Sequence, residues 1–211
     1  MYLVAVSGNT GVGKSSFIKR LATILKTNHA VDAICVDERL FHHERLINMF
    51  NNPSEWSYII QYNFLIQRAA WVKAHEGEKL VLMERSILED LLFVKYYYRN
   101  KHISKELYQN YLSLHDYIRN DVPSPNLIIH LICKPENSIK RIEKAYNEGE
   151  RIVEIEGENL RDYVHQMNGI YMEWSEDMRN SHKLVSLQTD KNVDNINSLA
   201  ELIAEYHVTE Q

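Results

Sequence analysis

Five short apolar runs punctuate the chain: Tyr2–Ser7, Val31–Val36, Lys79–Met83, Asn126–Cys133 and Lys183–Leu187. Each is strand-sized and mostly continuous in its apolar character, the pattern of a strand buried on both faces. Between them apolar residues recur at helical spacing. Phe17, Ile18, Leu21, Ile24 and Leu25 share one face, which predicts a helix to about Thr27, and further helices are expected near 40–50, 54–75, 86–100, 104–120, 136–147, 158–180 and 194–207. Strands alternating with helices predict an α/β fold, a parallel sheet covered on both sides, with a helix-rich insert forming a layer of its own. Asp121-Val-Pro-Ser-Pro125 breaks the pattern but leads into a strand, so it is not a domain linker. Glu143–Glu158, glutamate-rich with Gly149 and Gly157, is the best candidate for a moving loop.

Length and composition narrow this picture. A chain of 211 residues fits one domain, and 45% apolar with 25% charged residues is the average soluble profile, which excludes collagen, coiled coil and wholesale disorder. Two cysteines, Cys35 and Cys133, are too few for a disulfide scaffold and suit a reducing compartment. A net charge of −5 provides no field for nucleic acid or anionic lipid, so a binder of small anions must build its positive site locally. No run reaches membrane-spanning length and no basic leader precedes Met1–Ser7, so a cytoplasmic protein without a signal peptide is expected.

Three of the seven glycines fall within six residues, where the first strand gives way to the first helix. Gly8-Asn-Thr-Gly-Val-Gly-Lys-Ser15 fits G-x-x-x-x-G-K-[ST] in the setting of strand, loop and helix that this motif requires. Backbone N–H groups from Gly8, Asn9, Thr10, Gly11, Val12 and Gly13, with the helix start at Ser16, cradle phosphates. Lys14 reaches the β and γ phosphates and the Ser15 hydroxyl ligates Mg²⁺. The motif therefore predicts a nucleoside triphosphate with magnesium. A GTPase would need a D-x-x-G switch and an N-K-x-D guanine reader, and the chain has neither. A kinase would need an acceptor pocket, a base and a closing lid.

Candidates for these lie at the carboxyl ends of two other strands, where ligands of parallel sheets bind. Asp37, Glu38 and Arg39 follow the second run; a carboxylate there takes the proton of an attacking hydroxyl, or is simply solvated at a strand end. Glu84 and Arg85 follow the third, as a metal-shell acid beside a cation that neutralises a moving phosphoryl group, or as an exposed ion pair. Gln61 and Arg68, two turns apart (roughly 10 Å) on the helix near 54–75, interrupt apolar surface that includes Phe64. A glutamine amide pairs donor with acceptor, matching adenine or cytosine, and Asp90 could pair with Arg68. As bare pattern, these are also a polar helix face. The ten histidines lack ligand spacing and are read as surface or packing residues, and Trp56, Trp71 and Trp174 as core.

Gly8–Ser15, Glu38, the run Pro53-Ser-Glu-Trp-Ser-Tyr-Ile-Ile-Gln61, Arg68, Glu84-Arg-Ser86, Asp90 and Arg141 together resemble, in order and approximate spacing, the deoxyribonucleoside kinases, above all the deoxyadenosine, deoxyguanosine and deoxycytidine branch. The resemblance runs from residue 3 to about Trp174 and continues through Leu187–Val193 to the last helix. It implies a P-loop fold over residues 1–211 with strand order 2-3-1-4-5 and a helical lid near 141–160. It also implies ATP-dependent phosphorylation of a deoxyribonucleoside 5′-hydroxyl, in nucleotide salvage. By the same resemblance Glu38 is the base, Arg85 holds that base and the reacting oxygens, Glu84 joins Ser15 around the metal, and Gln61 reads the nucleobase. Arg68 with Asp90 marks purine or cytosine acceptors over thymine. Arg141 stabilises the transferred group, and Thr189, Asp190, Lys191, Asn192 and Val193 cover the ATP adenine. A homodimer is implied, with Leu91, Leu92, Phe93 and Tyr96–Tyr98 as contacts.

Three departures from the family pattern stand out. Arg39, not proline, follows Glu38; Phe50 replaces a tyrosine that bonds the sugar 3′-hydroxyl; and the lid reads Ile142-Glu-Lys-Ala-Tyr-Asn-Glu-Gly-Glu-Arg151, with Lys144 and Arg151 in place of several arginines. Two rival readings remain. A nucleoside monophosphate kinase would need extra pocket arginines, for which Arg39 and Arg45 are the candidates, and a non-catalytic ATP sensor would follow from a decayed lid.

Overall fold

The structure, a computed structural model, describes residues 1–150, 155, 157–190 and 195–209, the last three as backbone only. Five strands, β1 (Tyr2–Ser7), β2 (Ile34–Val36), β3 (Leu80–Glu84), β4 (Leu127–Ile132) and β5 (Leu184–Gln188), form one parallel sheet in the order β2-β3-β1-β4-β5. The helices are α1 (Lys14–His29), α2 (Leu46–Asn51), α3 (Pro53–Ala74), α4 (Ile87–Arg99), α5 (Lys105–Arg119), α6 (Pro135–Asn147), α7 (Gly157–Arg179) and α8 (Ile196–Thr209).

Alternation along the strands builds two layers. Tyr2, Val4, Val6, Leu80, Leu82, Leu127, Ile129 and Leu131 pack with α1 and α8. Leu3, Val81 and Met83 face the other way, onto α3, α4 and α5, while Ile128 meets α7. That second layer is the expected helical insert. Among the described residues no helix is long and apolar enough to cross a membrane.

Some expectations need correction. The second strand is only Ile34–Val36, because Ala30 turns left-handed (φ 56°) to end α1 and Val31 is drawn back onto the Leu25 carbonyl at 3.1 Å. The outer strands β2 and β5 are partly exposed, as edges are, not covered on both faces. The helix expected over 40–50 is split. Asp37 accepts from the Arg39 amide and starts a single 3-10 turn, Glu38–Phe41, and His43 Nδ1 accepts from the Arg45 amide before α2 begins. Leu92 and Tyr97, expected at a dimer interface, are buried in the chain's own core. They face inward because α4 packs against α3, α5 and α7 at once.

Candidate active site

Strand register brings the chemistry together. Val36 pairs with Met83 and Val6 with Glu84, so Glu38, Glu84 and the phosphate loop leave the sheet side by side. Gly8 (φ 137°) and Gly11 (φ 75°) shape the loop: a Cβ would stand 2.5 Å from the Leu131 carbonyl at the first and 2.6 Å from the Ser138 carbonyl at the second. The loop is thus clamped between β4 and α6. Beneath it opens a cavity of about 770 Å³, lined by Thr10, Gly11, Gly13, Lys14, Ser15 and Ser16 on one side and by Glu38, Phe50, Gln61, Phe64, Glu84, Arg85, Asp90 and Arg141 elsewhere.

Lys14 Nζ donates to the carbonyls of Gly8 (3.1 Å) and Asn9 (3.0 Å) and stands 3.7 Å from Glu84. Burial, then Arg85, pull its pKa down to about 8, against Glu84, Glu38 and Glu89. The Ser15 hydroxyl donates to Glu84 Oε2 at 2.8 Å. These two hard oxygen donors fit the chemistry of a magnesium ion, which binds through one or two protein groups while keeping several waters. At the cavity wall and just behind it, Lys14, Arg68 and Arg85 meet four acidic side chains, Glu38, Glu84, Glu89 and Asp90.

Arg85 Nε lies 2.8 Å from both carboxylate oxygens of Glu38, and Arg68 Nη2 is 3.8 Å away. Burial pushes the Glu38 carboxyl up, but Arg85, Lys14 and Arg68 together overcome it and hold it at about 2. Glu38 is therefore ionised at any working pH. Arg85 occupies the left-handed region (φ 63°), which costs a non-glycine residue about 1–2 kcal/mol. Its amide bond to Val6 (3.0 Å) and the stack of its guanidinium on Phe93 (4.7 Å) help to hold it there. On α3, Gln61 Nε2 approaches Met49 Sδ at 3.4 Å, and Arg68 meets Asp90 at 3.2 and 3.3 Å. Burial pushes Asp90 up to about 6 despite Arg68, which leaves it ionised at neutral pH. Asp90 lines the cavity while Arg68 stands behind it, bonded also to the Glu84 carbonyl at 3.2 Å.

Arg141 caps the other end. Its guanidinium donates to the carbonyls of Val12 (3.3 Å) and Thr189 (2.5 Å), and the Thr189 hydroxyl donates to Val12 O at 3.0 Å. Asp190 accepts from the Lys134 amide (3.1 Å) and Asn137 (2.7 Å). Asn9 is turned away from the cavity, its amide on the Val164 carbonyl at 2.8 Å. Lys191, Asn192, Val193 and Arg151 lie outside the described residues. Of the two arginines a phosphate-bearing acceptor would need, Arg39 pairs with Asp37 (2.6 Å) and Arg45 with Glu44 (3.5 Å). Phe93, expected at a dimer interface, lines the cavity instead, and residues that no sequence pattern singled out include Met49, Glu89 and Tyr171. Phe93 follows Glu89 by one turn of α4, which could have flagged it, whereas Tyr171 is brought in from α7 with no local signal.

A parallel sheet in this order, with a phosphate loop after its first strand and an acid and a guanidinium at the neighbouring rims, defines a P-loop phosphotransferase. A family model described as deoxynucleoside kinase matches residues 4–209. The chain is 30% identical over 176 residues to the deoxyadenosine/deoxycytidine kinase of Bacillus subtilis, covering 82% of this chain and 76% of that one. It is 27% identical over 194 residues to a deoxyguanosine kinase of Lactobacillus johnsonii, covering 87% and 81%. The fold superposes with a TM-score of 0.78 on the deoxyadenosine kinase of M. mycoides solved with bound dATP, at 18% identity, over 96% of this chain and 99% of that one. The chain belongs to the deoxynucleoside kinase family, enzymes that transfer phosphate to a nucleoside.

Proposed function

We propose that this enzyme transfers the γ-phosphoryl group of ATP, bound with Mg²⁺, to the 5′-hydroxyl of deoxyadenosine, deoxyguanosine or deoxycytidine. The observation that carries this reading is the Glu38–Arg85 pair, bonded at 2.8 Å in the same cavity as Lys14. Lys14 turns from its loop carbonyls to the β and γ phosphates, and Ser15 with Glu84 would hold the metal, which offsets phosphate charge when bound. Glu38 accepts a hydrogen bond from the 5′-hydroxyl and aligns it. A carboxylate held at about 2 is a weak base, which suffices because a loose transition state asks for little proton transfer before the phosphoryl group departs. Arg85 faces the developing charge, and Arg141 joins it on turning from the Val12 and Thr189 carbonyls.

Gln61 reads the base edge, with Asp90 and Arg68 beside it and Phe64 against the ring. Phe50 in place of a tyrosine removes one donor to the sugar 3′-hydroxyl, about 0.5–1.5 kcal/mol of recognition. Because Arg39 and Arg45 are engaged by their own neighbours, a monophosphate acceptor is disfavoured. The reading extends to a cytoplasmic homodimer, supported by two free thiols and by the half-buried Leu91, Tyr96 and Tyr98 on α4. The test is turnover of ATP with deoxyadenosine, deoxyguanosine, deoxycytidine and thymidine and with their monophosphates. Turnover with the first three nucleosides supports the reading; turnover with monophosphates alone refutes it. Replacing Asp90→Ala together with Arg68→Met should raise the thymidine-to-deoxycytidine ratio of kcat/KM about tenfold while lowering both rates, since Arg68 also steadies Glu38; an unchanged ratio would mean the pair does not face the base.

A further inference from the structure

Behind the cavity wall lies a chain of buried polar contacts that the reaction described above does not use. Glu89 is fully buried on the first turn of α4. Its Oε1 accepts from the Ser7 hydroxyl at 2.6 Å, and its Oε2 accepts from the Tyr171 hydroxyl at 2.9 Å and weakly from the Gly8 amide at 3.4 Å. The Tyr171 oxygen in turn accepts from Arg85 Nη1, and Arg85 Nη1 stands 3.9 Å from Glu89 Oε2. Burial raises the Glu89 carboxyl pKa, against Arg85, Ser7, Lys14 and Tyr171, which favour the ionised form; with Glu89 ionised the polarity is fixed at every link. A carboxylate only accepts, a guanidinium only donates, and the phenol, with one proton, does one of each. Burial raises the Tyr171 pKa well above the ordinary tyrosine value, so that proton stays.

We infer that Glu89 and Tyr171 are positioning residues, a buried relay that fixes the Arg85 guanidinium and ties it to the first residues of the phosphate loop. This rests on the reading of Arg85 as the arginine facing the reacting oxygens. Arg85 has two anchors, Glu38 through Nε and the relay through Nη1, and its remaining N–H groups are those available to a phosphoryl oxygen. Glu38 must share its carboxylate with the substrate hydroxyl during turnover. At that moment the relay, with the Phe93 ring against the guanidinium, holds it in place. Because the same Glu89 carboxylate grips Ser7 and Gly8, it sets the arginine and the loop in one frame.

Tyr171→Phe keeps the ring and removes one hydroxyl. It should lower kcat about 10- to 100-fold, the loss expected when a reacting group drifts by about 1 Å, with KM for ATP within about threefold of wild type. Glu89→Gln should produce a loss of the same kind, and the double variant should be no slower than the slower single, because both act through one guanidinium. A merely structural role would lower the melting midpoint and leave kcat of the folded protein unchanged. If Glu89→Gln does not fold, the split between kcat and KM in Tyr171→Phe decides alone. The inference is overturned if Tyr171→Phe keeps kcat within about twofold while Arg85→Ala loses more than about 100-fold, or if the two losses multiply. Arg85→Ala turning over at the wild-type rate would instead bring down the assignment of Arg85 itself.

Discussion

Lys14 is buried between a cation that repels it and carboxylates that hold it, and its pKa of about 8 reflects burial first and that balance second. In the free enzyme its ammonium loses a proton as pH rises through that value. Phosphate oxygens, once bound, favour the charged form again. We therefore expect kcat/KM for ATP to fall above about pH 8 while kcat stays level, because the first reports the free enzyme and the second the complex. A pH series from 6 to 10 checks this, and a kcat that falls in step with kcat/KM would contradict it. At this scale the sequence was readable wherever chemistry is local. Lys14 and Ser15 are defined by their motif, and Glu38, Glu84 and Arg85 by standing at strand ends. Glu89 and Tyr171 were not readable, since 82 residues separate them and neither belongs to a spacing pattern. Arg68 was legible as a polar break in an apolar helix face, but not its place behind Asp90, which depends on how α3 and α4 pack.

Elements meet closely where the phosphate loop passes under α6. Gly11 combines a left-handed backbone with a Cβ position that would lie 2.6 Å from the Ser138 carbonyl and 2.9 Å from Ile142. Backbone on one side and a buried side chain on the other cannot both yield. Gly11→Ala should therefore displace the loop from α6 and raise KM for ATP at least about tenfold. The strained φ adds roughly 1 kcal/mol of destabilisation. Unchanged ATP affinity by titration would show that this contact does not shape the loop. Helices α3 to α7 were legible to within a residue or so because each carries a long apolar stripe. The segment 40–50 was not. Its apolar residues fit a helix, but the Asp37 and His43 side chains bond nearby amides and divide it into two pieces. Short local hydrogen bonds there override periodicity, and the first piece is what brings Glu38 over the cavity.

Across the whole molecule, the sheet acts as a ruler that sets three rims level, and β4, between the central β1 and the edge strand β5, carries a group that makes the fold pH-sensitive. His130 is buried between the rings of Tyr171 and Trp174, each 6.0 Å away, and its Nδ1 has no hydrogen-bond partner among the described residues. Burial and Arg179 lower its pKa from 6.5 to about 4. The unfolded chain thus binds a proton between those values that the native state refuses, so stability falls as pH drops from 6.5 toward 4, by roughly 2 kcal/mol at pH 5. His130→Phe should flatten that acid limb in urea titrations at pH 7 and pH 5, and an equal loss in both proteins would contradict it. Strand order followed from the resemblance, whereas the exposure of β2 and β5 could be known only once their places at the edges were fixed. The central claim is that Glu38 directs the γ-phosphate of ATP onto a nucleoside 5′-oxygen, and phosphorus NMR of the reaction with deoxyadenosine tests it most directly. The account predicts a 5′-phosphate ester growing as ATP is consumed, at least about 100-fold more slowly with Glu38→Gln and with KM for ATP little changed. Release of inorganic phosphate alone, or an ester formed equally fast by the variant, would contradict it.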